Sequence, residues 1–119
     1  STRAKFLGAA GCITDGCVRD VAMIRDLDFP VFAGGRSPVD TKFRGKMMWM
    51  DVPATIGGVE INSGDLVIAD LDGIVFVPGD RNEEVVEKSL TKVRAETTVR
   101  EELRGGATLV EVFERHGIL

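Results

Sequence analysis

The sequence predicts a mixed α/β fold, and three observations carry that expectation. Ala9 to Thr14, Asp20 to Leu27 and Val31 to Ala33 read as strand, helix, strand, a unit that favours parallel pairing of its two strands. Residues 54–77 alternate short β-branched runs with Gly-Gly and Asp-Gly turn signals. From Asp80 onward the apolar residues fall at helical spacing.

Each element has a local reason. Ser1 to Leu7 reads as the end of a helix, with Gly8 as its stop. Ala9 to Thr14 is short, small and apolar, as in a buried strand, and Asp15-Gly16 is expected to end it as a turn. In the following helix Val21, Ile24 and Leu27 share one face, and Phe29-Pro30 closes it. Gly34-Gly35-Arg36-Ser37-Pro38 is expected to be a loop. Met47 to Val52, Ala54 to Ile56 and Val59 to Ile61 read as strands, the last two joined by Gly57-Gly58. Leu66 to Ala69 and Ile74 to Val77 flank Asp72-Gly73 as a second hairpin. Asp80 with Glu83, and Thr108 with Glu111, have capping-box spacing at the starts of two helices. Gly105-Gly106 separates those helices, and Gly117 ends the second.

The 119 residues bound the answer to one domain, with 44% hydrophobic and 29% charged residues, the balance of an ordinary folded protein. No apolar run approaches the roughly 20 residues that span a bilayer. Fifteen Lys and Arg against nineteen Asp and Glu leave a net charge of −4, which argues against a broad nucleic-acid surface. The local basic patch Arg36, Lys42, Arg44 and Lys46 reads as a solvated loop. Cys12 and Cys17 lack the partners of a zinc site and read as free thiols of a reducing, cytoplasmic compartment. The single histidine, His116, gives little material for a Ser-His-Asp or Cys-His system. Chemistry in this chain therefore rests on carboxylates, Arg or Lys, backbone amides and a hard metal ion.

The densest polar cluster is Thr14-Asp15-Gly16-Cys17-Val18-Arg19-Asp20, which follows a strand and opens a helix. Open α/β sheets bind ligands at the C-terminal ends of their strands. Arg19 offers a planar fork for a carboxylate or enolate, and Asp20 offers hard oxygens for a divalent cation. A purely structural reading has Asp15 in a turn, Asp20 capping the helix and Arg19 paired with a neighbouring acid. Asp70-Leu71-Asp72-Gly73 lacks the remaining ligands of a calcium loop and reads as turn chemistry. On the acidic helix, Glu96 and Arg100 are spaced for an ion pair, and no glycine-rich nucleotide loop is present.

Five segments in order resemble the RraA-like family, which includes 4-hydroxy-4-methyl-2-oxoglutarate aldolases. They are Gly8-Ala9-Ala10-Gly11 running into Thr14-Asp15-Gly16-Cys17-Val18-Arg19-Asp20; Phe29-Pro30-Val31-Phe32-Ala33; Val52-Pro53 through Ile56-Gly57-Gly58-Val59; Ser63 through Pro78; and Arg94 through Leu103 with Gly106-Ala107-Thr108-Leu109. Together they cover nearly the whole chain.

The resemblance implies an α/β domain with a β-sandwich or barrel-like core flanked by helices, related to swivelling phosphohistidine domains, with C-terminal helices. It implies a divalent-metal aldolase that releases pyruvate from 2-oxo acids through an enolate, with oxaloacetate decarboxylation as a side activity. Asp20 would help hold Mg²⁺ or Mn²⁺, Arg19 would bind the substrate and stabilise the enolate, and Glu96 would complete the site from a neighbouring subunit. Thr97-Thr98 departs from the Asn that often follows that glutamate. The resemblance further implies a homo-oligomer, a trimer or a pair of trimers. Family members that regulate a ribonuclease by binding it supply the alternative, non-catalytic reading. The family's acidic residue and glycine-containing loop upstream of the Arg-Asp pair have no match here, so residues 1–119 are expected to be one RraA-like domain lacking its N-terminal part, completed by a further segment or chain.

Overall fold

The computed structural model describes residues 1–117. The element order is α1 (Thr2–Phe6), β1 (Cys12–Val18), α2 (Val21–Asp26), β2 (Val31–Arg36), β3 (Ala54–Ile56), β4 (Val59–Ile61), β5 (Leu66–Ala69), β6 (Ile74–Val77), α3 (Asn82–Arg104) and α4 (Leu109–His116), with one 3-10 turn at Gly79–Arg81. The fold is α/β with C-terminal helices, as expected. The chain divides into two units, Ser1–Phe76 and Val77–Leu119.

In the first unit β1 and β2 pair in parallel around α2, as the strand-helix-strand pattern requires. The register differs from expectation in one place. Thr14 faces Ala33 and Cys17 faces Gly35, so β1 takes three steps where β2 takes two. Asp15-Gly16 is thus a β-bulge inside β1 and not a turn ending it. The Thr14 hydroxyl accepts from Gly16 N–H at 3.0 Å and braces the bulge. Gly34 and Gly35, expected in a loop, belong to β2. A Cβ at Gly34 would lie 2.1 Å from the Asp15 carbonyl oxygen, so only glycine lets the second strand approach the bulge.

Lys5 ties α1 to the end of α2, its Nζ donating to the carbonyls of Leu27 at 2.6 Å and Asp28 at 3.1 Å. A cation there complements the negative end of the helix. The β3–β4 hairpin turns on Gly57 and Gly58, both at positive φ (58° and 85°), as a two-residue turn needs. The β5–β6 turn is wrapped by Asp70, whose carboxylate accepts from the N–H groups of Asp72 (2.8 Å) and Gly73 (3.2 Å). The calcium-like spacing is therefore turn chemistry.

Residues 47–52 form no strand. Trp49 and Val52 favour a strand, but a strand exists only where another strand takes up its N–H and C=O groups. The same stretch leaves Met47, Met48, Trp49 and Met50 exposed.

In the second unit α3 begins at Asn82, and its cap position, Arg81, makes no side-chain cap. The Asp80 and Glu83 spacing is not used as a capping box, because residues 79–81 wind into the 3-10 turn first. The Thr108 and Glu111 box forms in full. Thr108 N–H donates to Glu111 at 2.9 Å, and Glu111 N–H donates to the Thr108 hydroxyl at 3.3 Å. Gly105-Gly106 separates the helices, and Gly117 at φ 68° ends α4. Val99 on α3 and Val112 on α4 are buried, and Glu102 binds Arg115 and His116 at 2.5 and 2.9 Å. Among the described residues, no helix is long and apolar enough to cross a membrane.

Candidate functional site

The site is built at the C-terminal ends of the parallel strands. Val18 closes β1 opposite Arg36, which closes β2, and Ser37 N–H donates to the Val18 carbonyl at 3.0 Å. The chain then turns sharply at Asp20, which holds a left-handed conformation (φ 58°, ψ 35°) before α2. Aspartate tolerates that region better than most residues, though such backbone is uncommon outside glycine. Asp20 occupies the N-cap position of α2 but makes no side-chain cap. Its carboxylate lies instead 3.4 Å from Arg19 Nε.

Arg19 is held by two acids. Its Nη1 lies 3.1 Å from Asp40, which sits in the loop after β2. The carboxyl of Asp40 is held below its ordinary value, first by the Lys42 N–H that it accepts at 2.9 Å and then by the Arg19 guanidinium. A carboxyl lowered in this way keeps its interactions above its ordinary value and loses them only as pH falls through the lowered one. The Arg19–Asp40 pair therefore persists across the neutral range.

Two cavities of about 340 Å³ flank this pair. One is walled by Thr2, Val18, Met23 and Leu27 beside Arg19 and Asp20. The other runs from Arg19 and Asp20 to Arg36, Ser37 and Pro38. A further cavity of about 530 Å³ has Asp15 at its rim, where the carboxylate accepts from Gly57 N–H at 3.4 Å.

The structure places Arg19 and Asp20 just past the end of β1, with Arg19 Nε 3.4 Å from the Asp20 carboxylate. Glu96 lies on α3 in the other unit, half-buried, and pairs with Lys92 at 3.6 Å in place of the expected Arg100. Two residues of the site went unassigned in the sequence. Asp40 had a local signal, the Asp-Thr-Lys spacing of an Asx turn. Arg36 had been grouped with a solvated basic patch, although it ends a strand at the site.

Asp20 can be judged as a metal ligand from its surroundings. Among the described residues, no group of three or more His, Cys, Asp or Glu side chains converges. One exposed carboxylate fits Mg²⁺ or Mn²⁺ completed by water and substrate oxygens, and does not fit a zinc cage.

The profile of the RraA-like family, described as Aldolase/RraA, matches residues 1–76, the whole first unit. The chain belongs to the RraA-like family. A protein of Halalkalibacterium halodurans named "Putative 4-hydroxy-4-methyl-2-oxoglutarate aldolase" is 38% identical over 98 residues, covering 82% of this chain and 46% of that protein. An uncharacterized protein of Pseudomonas syringae pv. tomato shares the fold at TM-score 0.89 and 31% identity, covering 93% of this chain and 56% of that one. Streptomyces coelicolor RraAS2, described as an unusual member of the RNase ES inhibitor RraA protein family, matches at TM-score 0.63 and 29% identity over 78% of this chain and 56% of that one. The RraA-like chain described here spans about half the length of these relatives.

Proposed function

We propose that this RraA-like chain carries the central part of a metal-dependent aldolase site that cleaves 4-hydroxy-4-methyl-2-oxoglutarate-type 2-oxo acids to pyruvate. The observation that carries the reading is the Arg19–Asp20 pair at the strand ends, which sets a guanidinium beside an exposed carboxylate on the wall of a cavity. Relatives named as aldolases support it.

In this reading the carboxylate and keto oxygen of the substrate meet the Arg19 guanidinium. As the 4-hydroxyl gives its proton to water, C4 becomes the keto carbon of one pyruvate; the C3–C4 electron pair moves toward the 2-keto oxygen as the enolate of a second, which becomes pyruvate when C3 takes up a proton from water. A fixed guanidinium stabilises that developing charge without reorganising, an effect worth roughly 3 kcal/mol for one donor. Asp20 would hold Mg²⁺ or Mn²⁺, which would supply further neutralisation of the enolate. Asp40 keeps the guanidinium turned toward the cavity. The same enolate arises when oxaloacetate loses carbon dioxide, so decarboxylation belongs to the reading.

Glu96 completes the site from a neighbouring subunit of a homotrimer or a pair of trimers. Subunit mixing tests this. Arg19→Ala and Glu96→Ala chains, each inactive alone, regain part of the activity when mixed if the site is shared, and regain none if each chain acts alone.

The direct test is pyruvate release from 4-hydroxy-4-methyl-2-oxoglutarate with Mg²⁺ present. Arg19→Ala is expected to lower turnover about a hundredfold. Full activity in that variant overturns the assignment. The likeness to RraAS2 favours a second reading, a regulator that binds a ribonuclease. Ribonuclease binding that is unchanged by an Arg19→Ala/Asp20→Ala double substitution, without pyruvate release, decides for it.

A further inference from the structure

We propose that residues 42–50 form an arm that one copy of this chain seats in an apolar cleft of a second copy; this rests on the homo-oligomer of the proposed reading and not on the chemistry at Arg19. The starting point is a sheet face without a cover. Parallel ladders are normally covered on both faces. On one face of the β1–β2 ladder, Val31 and Ala33 line a small cavity together with Val21 and Ile24 of α2. Alternation puts Ile13 and Phe32, which are partners in the ladder, on the opposite face. There they join Ile56 and Phe76, and these four side chains are the common wall of two hollows of about 530 and 510 Å³. Asp15 and Asp70 are the charged residues of that cleft. Each accepts backbone N–H groups and pairs with no cation among the described residues.

The arm supplies the complement. Lys42, Arg44 and Lys46 lead into Met47, Met48, Trp49 and Met50, and these four apolar side chains are all exposed. Arg44 and Lys46 pair with no acid among the described residues. The arm is fastened near both ends. Asp40 accepts from Lys42 N–H and holds Arg19, and the Ser63 hydroxyl donates to Asp51 at 2.5 Å. No residue from 42 to 50 lines either hollow of its own copy. A contiguous exposed apolar patch marks an interaction surface, with tryptophan the strongest kind of anchor and methionine able to fill an irregular hollow. A basic stem with an apolar tip thus answers a cleft with an apolar floor and acidic residues on its wall. Arm and cleft are different surfaces, so the contact is head-to-tail and makes a ring, a trimer included, where the rotation closes.

Trp49 is the one tryptophan of the chain, so its fluorescence reports on the arm alone. Light scattering of the full chain across a dilution series gives the association, and Trp49 emission is expected to move to shorter wavelength as copies assemble. Trp49→Ala is expected to weaken assembly about thirtyfold, the loss of an interface anchor. Asp15→Arg, which sets a cation against the basic stem, is expected to weaken it as well. Both positions are exposed, so the variants are expected to fold, and an unchanged circular dichroism spectrum checks this. The decisive step mixes the two variants. The Asp15→Arg chain keeps a sound arm and the Trp49→Ala chain keeps a sound cleft, so the mixture is expected to associate and to shift the emission of the tryptophan it contains. A mixture that does neither overturns the inference. So does emission that is already at short wavelength in the monomer, which puts the arm in its own cleft, and so does assembly unchanged by Trp49→Ala. If assembly persists in Trp49→Ala and the Arg19→Ala and Glu96→Ala chains still rescue one another, the arm contact falls and the shared site stands. Assembly through the arm without pyruvate release does the reverse.

Discussion

The strand-end site and the C-terminal helix pair are held together in different ways. In the helix pair, Val99 and Val112 are buried, a complete capping box starts α4, and Glu102 grips two basic side chains of the same helix. In the first unit only Phe29 is buried among the described apolar side chains, while Phe43, Trp49 and Leu71 stand largely exposed. There the order comes from a parallel ladder, a bulge and charge pairs in solvent. Exposed ion pairs contribute little to stability, so the cluster around Arg19 positions chemistry more than it holds the fold. The helix pair shows the opposite balance.

The contrast can be broken from either side. The largest effect is expected for Gly34→Ala. The new Cβ meets the Asp15 carbonyl of the bulge, and overpacking against backbone costs about 3 kcal/mol. Urea denaturation reads that loss as a lower midpoint. Arg19→Ala comes next, with a hundredfold fall in turnover worth about 2.7 kcal/mol of barrier and a melting temperature close to wild type. A large fall in melting temperature would instead make Arg19 a structural residue. Val112→Ala, at a fully buried position, is expected to cost about 2 kcal/mol of stability.

The smallest effect concerns the α4 cap. Thr108→Ala removes the capping hydroxyl and is expected to cost about 1 kcal/mol. The Glu111 carboxyl lies below its ordinary value because Thr108 N–H and then the Thr108 hydroxyl donate to it, with Arg115 adding to the shift. Its contribution is complete above the ordinary value and disappears as pH falls through the lowered one. Far-ultraviolet circular dichroism should show helix content that falls with acid in the wild-type chain. In Glu111→Gln that part of the pH dependence should be missing.

What could be read from the sequence follows the same division. The Thr108 box, the Gly105-Gly106 break and the Gly117 stop were legible because each depends on residues within a few positions. The strand-helix-strand unit was legible from its apolar periods, and Arg19 with Asp20 from their place after the first strand. The misreadings all turn on distant partners. Asp15-Gly16 has the composition of a turn, and only the parallel neighbour makes it a bulge. Gly34 and Gly35 resemble a loop until that bulge requires a strand without side chains beside it. Lys92 and Arg100 stand at equal spacing on either side of Glu96, and spacing cannot choose between them. Asp40 reaches Arg19 across a loop whose path no local pattern predicts.

The bulge in β1 also sets a parity. Side chains on a strand alternate between faces, so one surplus residue reverses the alternation for everything that follows. Thr14 and Cys17 face Ala33 and Gly35, two residues apart on β2, so the bulge puts residues three apart on one face of β1, and deleting Gly16 would leave Cys17 and Val18 opposite the same partners in a regular ladder. The surplus residue is thus answered on the other strand and not at the strand end: a chain without it keeps the Arg-Asp pair where it stands and is released from the need for glycine at position 34.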